Sequence, residues 1–130
     1  EYKDVTVFYG GDTAYDDKAF KRIGEKFDID LALIPRGPCR DCEEISNFSH
    51  VTSYGVLLMF DDLKADNMIP VHYGALTYRR DPDFPLLVLK DLIEKNDNTN
   101  SMAGINRKYS ERIKILDEGE QMVFEYIEIK

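Results

Sequence analysis

Three features of this sequence predict an α/β fold with elements in the order β-α-β-α-β-α-β-β. Short β-branched and aromatic runs alternate with stretches whose apolar residues recur at helical spacing. The run from Ile29 to Pro35 is apolar on both faces, as expected of a strand covered on both sides in a layered α/β sheet. The chain has 130 residues, 43% hydrophobic and 32% charged, which suits a single domain spanning 1–130.

The first strand is Val5 to Tyr9, ending sharply at Gly10-Gly11. Asp16 or Asp17 then caps a helix whose apolar positions are Ala19, Phe20, Ile23 and Phe27, at helical spacing. After Ile29–Pro35, a loop over 36–50 carries Pro, Gly, Asn, Cys39 and Cys42. A helix from about Thr52 to Lys64 follows, with Val56, Leu57, Phe60 and Leu63 apolar and Asn67 marking its end. Met68 to Val71 forms a third strand running into His72. Beyond a loop at 74–84, a helix starts near Pro85, where the missing N–H costs nothing, and turns Leu86, Leu89 and Ile93 inward. The polar stretch 96–106 predicts a surface loop, and Arg112–Leu116 with Gln121–Ile129 predicts a hairpin around Asp117-Glu118-Gly119.

Charge and composition exclude several functions. Seventeen Lys and Arg against 25 Asp and Glu give a net charge of -8, which repels phosphate backbones and argues against nucleic acid as a partner. No apolar run approaches the roughly 20 residues of a transmembrane segment. Two cysteines are too few for a secreted disulfide framework, so a soluble, cytoplasmic chain is favoured. The chain begins at Glu1 rather than Met, and an upstream piece is expected.

Polar chemistry in α/β sheets gathers just beyond the strand ends. Asp12 follows the first strand, His50 lies in the loop after the second and His72 ends the third; the chain holds no other histidine. One carboxylate and two imidazoles converging at a sheet edge suit a borderline metal such as zinc, or a general acid/base pair. Taken singly, Asp12 also reads as a turn residue, His50 as a neighbour of a helix N-cap and His72 as a satisfied core histidine. The pair Cys39/Cys42 has no second cysteine pair to complete a zinc ribbon, and Glu43-Glu44 oppose a reactive thiolate. Asp61-Asp62 and Glu118/Glu120 read as solvated acidic faces. Neither GxGxxG nor GxxxxGK[ST] occurs.

Several motifs resemble, in order and spacing, the C-terminal half of the metallo-β-lactamase fold. They are Gly11-Asp12-Thr13-Ala14-Tyr15, Asp30-Leu31-Ala32-Leu33-Ile34-Pro35-Arg36-Gly37, His50-Val51 before a helix, and Pro70-Val71-His72-Tyr73-Gly74. The nearest branch is that of N-acyl-phosphatidylethanolamine phospholipase D and ascorbate-6-phosphate lactonase-like proteins. The resemblance implies an αββα sandwich and a hydrolase using zinc, two ions in the full-length parent, to make hydroxide nucleophilic toward an ester, lactone or phosphodiester. It implies Asp12 as a carboxylate bridging two metal ions, His72 as a ligand of one, and His50 as a catalytic residue contacting the substrate or the reacting oxygen.

The family's HxHxDH motif is absent here, as is the further histidine ligand of its N-terminal half, and Pro38–Cys42 departs from the usual loop. The expected partners are thus a small-molecule or lipid-like substrate and the N-terminal half of the same fold, or self-association of this chain. An isolated half is expected to leave an apolar sheet face of several hundred Å2 exposed, and to be inactive. A non-catalytic interaction module built on the same half-fold is the competing reading; a response-regulator-like domain lacks its partner residues.

Overall fold

In a computed structural model, which describes residues 4–37, 51–73, 84–100 and 108–123, the chain forms an α/β layer. Its elements are β1 (Val7–Tyr9), α1 (Asp17–Lys26), β2 (Leu31–Pro35), α2 (Ser53–Leu63), β3 (Asn67–Val71), α3 (Phe84–Asn100) and α4 (Tyr109–Arg112). The three strands make one parallel sheet in the order β1-β2-β3. Val7, Leu31 and Asn67 stand in register, as do Phe8, Ala32 and Met68, and Tyr9, Leu33 and Ile69.

That register sorts the side chains by face, because successive residues of a strand point to opposite sides. Ala32, Ile34 and Met68 are fully buried and share a core with Phe20 of α1 and with Val56, Met59, Phe60 and Leu63 of α2. On the opposite face Leu31, Leu33, Ile69 and Val71 are only half-buried, while Val7 and Tyr9 are 46% and 70% exposed. The cover expected on both faces of β2 is therefore complete on one face among the described residues. Parallel strands joined by helices place both crossovers on the same side when consecutive strands are neighbours, which accounts for the asymmetry.

Local chemistry sets the helix boundaries. Asp16 caps α1 by accepting from the Ala19 N–H at 3.1 Å, and Thr52 caps α2 by accepting from the Gly55 N–H at 3.1 Å. α1 is strongly amphipathic and buries Phe20 edge-on against Phe8. Helix α2 is apolar nearly all round because α1, α3 and the sheet all pack on it. Phe27 ends α1 as its C-cap and is 47% exposed, so it does not join the inward stripe. Asn67 opens β3; α2 ends earlier, at Lys64 in the left-handed conformation (φ 52°).

Three further expectations are corrected. Residues 96–100 are helical: the Asn96 amide donates to the Leu92 carbonyl and the Thr99 hydroxyl to that of Lys95, so these polar side chains satisfy the helix that carries them. The carboxylate of Asp97 accepts from the N–H groups of Tyr109 and Ser110, capping α4 from a distance in sequence. Arg112 consequently ends a helix instead of opening a strand. Its guanidinium donates to the carbonyls of Ala65 and Asp66 and lies over the Phe60 ring. Ile113 makes one parallel bridge to Met68, and residues 114–123 contain no strand, although the turn at Asp117–Glu120 does form. Residues 124–129 of the expected hairpin lie outside the described residues. Finally, Asp61 and Asp62 are not simply solvated: each accepts a 2.5 Å hydrogen bond from a tyrosine, Tyr109 and Tyr15 respectively. Burial and that hydrogen bond, followed by the carboxylate's charge, raise the pKa of each phenol.

Candidate functional site

The C-terminal ends of the three strands form one edge, and the candidate residues are delivered there by backbone chemistry. The Gly10 N–H donates to the Leu33 carbonyl at 2.9 Å, extending the ladder one residue beyond β1. A Cβ at Gly10 would sit 2.6 Å from the Pro35 ring, so the chain passes over the end of β2 only because none is there. Gly11 then turns with φ 62°, in the region that favours glycine. From the other side, His72 leaves β3 with φ 61°, a conformation uncommon outside glycine but tolerated better by His than by most residues.

These two turns bring Asp12 Oδ1 to 3.4 Å from His72 Nδ1, with the side chains 60% and 36% exposed. A carboxylate–imidazole contact this open to water contributes only about 0–1 kcal/mol, while a left-handed non-glycine residue costs on the order of 1 kcal/mol or more.

His72 is anchored on both sides. The Val71 carbonyl accepts from the Arg36 N–H at 2.7 Å, and the Tyr73 hydroxyl donates to the Leu116 carbonyl at 2.8 Å. Burial first, then the charges of Asp117 and Glu120, raise the Tyr73 pKa and keep it a donor. The Arg36 side chain is fully buried, and burial lowers its pKa to about 10, so it stays cationic at neutral pH. Sequence reasoning assigns no role to Arg36, Ser53 or Tyr73, although Arg36 and Tyr73 stand within the motifs quoted above. The signal for Arg36 was present, since period-two alternation through Ala32 and Ile34 carries one step past β2 and turns residue 36 inward.

A carboxylate oxygen and an imidazole nitrogen bonded to one tetrahedral zinc ion, each at about 2.1 Å, would be about 3.4 Å apart. The Asp12–His72 separation fits two corners of such a site. Among the described residues, no group of three or more His, Cys, Asp or Glu side chains is placed to hold a metal. His50, Cys39 and Cys42 lie outside the described residues; Val51, which follows His50, is buried just before Thr52, the N-cap of α2. A cleft of about 450 Å3 opens elsewhere, between α3 and the segment 108–115, and neither Asp12 nor His72 lines it. No helix among the described residues is long and apolar enough to cross a membrane.

Residues 1–73 match a family model described as a beta-lactamase superfamily domain. The matched stretch covers more than half of the chain and contains Asp12, His50 and His72. No curated protein matches this chain.

Proposed function

This chain belongs to the beta-lactamase superfamily, and on that premise we propose that it is part of a metal-dependent hydrolase acting on an ester, lactone or phosphodiester. The observation that carries the reading is the Asp12–His72 pair, whose donor types and 3.4 Å separation suit a zinc site. Zinc, when bound, supplies Lewis acidity and lowers the pKa of water toward neutrality. In this proposal the Asp12 carboxylate and the His72 imidazole would both hold zinc, Asp12 being the ligand shared by two ions in the full-length parent. His50 contacts the substrate or the reacting oxygen.

The half-covered sheet supports a partner for this layer. Val7, Tyr9, Leu31, Leu33, Ile69 and Val71 share the open face, and the N-terminal half of the same fold would complete both the core and the ligand set. The finer kinship, to phospholipase D-like and lactonase-like members acting on small-molecule or lipid-like substrates, rests on the Gly11–Tyr15 and Pro70–Gly74 motifs.

Titration of this chain with Zn2+ by calorimetry tests the reading. Weak binding is expected, and Asp12→Ala or His72→Ala should each reduce it by about 10-fold or more. Equal affinity in all three proteins overturns the assignment. The absence of a third potential ligand among the described residues favours, as a second reading, a non-catalytic module; it predicts no Zn2+ binding by the chain joined to its N-terminal half.

A further inference from the structure

Asp12 sits in a stretch, Gly11–Tyr15, between the end of the β1 ladder and the Asp16 cap of α1. The front of that stretch is held where the Gly10 N–H donates to the Leu33 carbonyl. At its rear, the Tyr15 side chain lies along α2. A Cβ on Gly55 would stand 3.9 Å from Tyr15 Cβ, and the Tyr15 hydroxyl donates to Asp62 Oδ2 at 2.5 Å, two helical turns further on. The ring also packs on Phe20 of α1, with centroids 6.2 Å apart. One side chain thus fastens the stretch that carries Asp12 into the seam between α1 and α2.

Ring and hydroxyl contribute separately. A phenylalanine here would keep the contact with Phe20, whereas the hydroxyl adds a short, charge-assisted bond to one fixed point of a helix. That helix is a rigid anchor: Val56, Met59, Phe60 and Leu63 are fully buried, and α1 presses its Gly24 against the backbone of Asp62 and Leu63. A ligand held on a loop gains precision when the loop is fixed to such an element. The neighbouring Asp61 makes the same kind of bond, also 2.5 Å, to Tyr109 of α4, an element that carries neither Asp12 nor His72. Two adjacent Tyr–Asp bonds therefore leave α2, one to the loop of Asp12 and one away from it.

We propose that Tyr15 is a positioning residue for Asp12: its hydroxyl, bonded to Asp62, fixes the rear of the Gly11–Tyr15 loop so that the Asp12 carboxylate stays within reach of His72. The consequence for metal binding rests on the hydrolase reading, but the tether itself does not.

The test uses the whole chain with Tyr15→Phe, Asp62→Ala, Asp62→Asn and, for comparison, Tyr109→Phe. Two readouts are taken without metal: the backbone order parameters of Gly11–Ala14 and the imidazole 1H–15N signals of His72. Tyr15→Phe and Asp62→Ala should lower the order parameters from about 0.85 to below about 0.6 and shift the His72 signals. Asp62→Asn, which keeps an acceptor for the phenol, should recover part of both effects. Tyr109→Phe should lower the urea midpoint as Tyr15→Phe does, yet leave the loop and His72 unmoved. With Zn2+ added, affinity should fall about tenfold in Tyr15→Phe, the cost of re-ordering roughly one freed residue, and not in Tyr109→Phe. Should Asp62→Ala fail to fold, Tyr15→Phe, which keeps the ring, carries the test. An undisturbed loop in Tyr15→Phe, or equal His72 shifts in Tyr109→Phe, overturns the proposal, as does an unchanged Zn2+ affinity in Tyr15→Phe where the unsubstituted chain binds the ion. If the unsubstituted chain binds no Zn2+, the hydrolase reading falls, and the metal-free signals still decide the tether.

Discussion

Asp12 and His72 lie 3.4 Å apart although the strands that carry them are not neighbours, since β2 separates β1 from β3. Two strand spacings, about 9–10 Å, must be crossed. The crossing is made by the glycine pair passing over Pro35 from one side and by the left-handed backbone of His72 from the other.

Gly10→Ala should therefore damage both stability and the pair. The new methyl group would meet a ring carbon that cannot swing away, at 2.6 Å. Overpacking of this kind costs about 1–3 kcal/mol. A lowered urea midpoint together with displaced His72 signals in NMR spectra is expected; a variant as stable as the parent would show that the turn relaxes freely.

Much of this was legible in the chain. Strand-length runs ending at Gly10 and at His72 located the edge, and the acidic cap at Asp16 located α1. Less legible were features set by distant partners. Asp97 caps α4 across twelve positions, which overrides the polar, loop-like composition of 96–100 and replaces the strand expected at Arg112. Likewise Asp61 and Asp62 read as a solvated run because nothing local reveals that Tyr109 and Tyr15 arrive from other elements. Of the candidate residues, the alternation of β1 and β3 places Asp12 and His72 at the edge, whereas the 3.4 Å approach depends on two left-handed turns that composition does not display.

Gly24→Ala should be the more severe glycine change. A Cβ on this face of α1 would lie 2.3 Å from the Asp62 carbonyl oxygen and 2.7 Å from the Leu63 carbonyl carbon, both backbone atoms of α2. With no flexible side chain to yield, the helices must separate. The expected loss exceeds that of Gly10→Ala, at the upper end of the roughly 1–3 kcal/mol range or beyond, and is read from denaturation midpoints of the two variants side by side.

Alkaline pH should weaken the fold through Tyr15 and Tyr109. Both phenols have raised pKa values, chiefly from burial and then from hydrogen bonds to Asp62 and Asp61. A folded-state pKa above the unfolded value stabilises the protein fully below the unfolded pKa of about 10, and that contribution fades as pH climbs toward the folded value. Urea midpoints of the parent minus those of Tyr15→Phe/Tyr109→Phe should thus be constant from pH 7 to about 9 and shrink above about 10. A difference that stays constant to pH 11 would remove this account.

The open sheet face should make the isolated chain self-associate weakly. Tyr9, 70% exposed, and Val7, 46% exposed, stand in register with Leu33 and Leu31 of β2. Strand spacing and rise give this face a footprint of only about 200–250 Å2, well below the roughly 800 Å2 per partner of a stable interface. Apolar burial on that scale suits a transient contact in the high-micromolar range rather than a fixed dimer. Light scattering should show an apparent mass that rises with concentration, and Tyr9→Lys should suppress the rise by placing a charge where a second apolar layer would settle. A mass independent of concentration up to millimolar would mean that this face is content in water, and would weaken the case for a missing sheet against it.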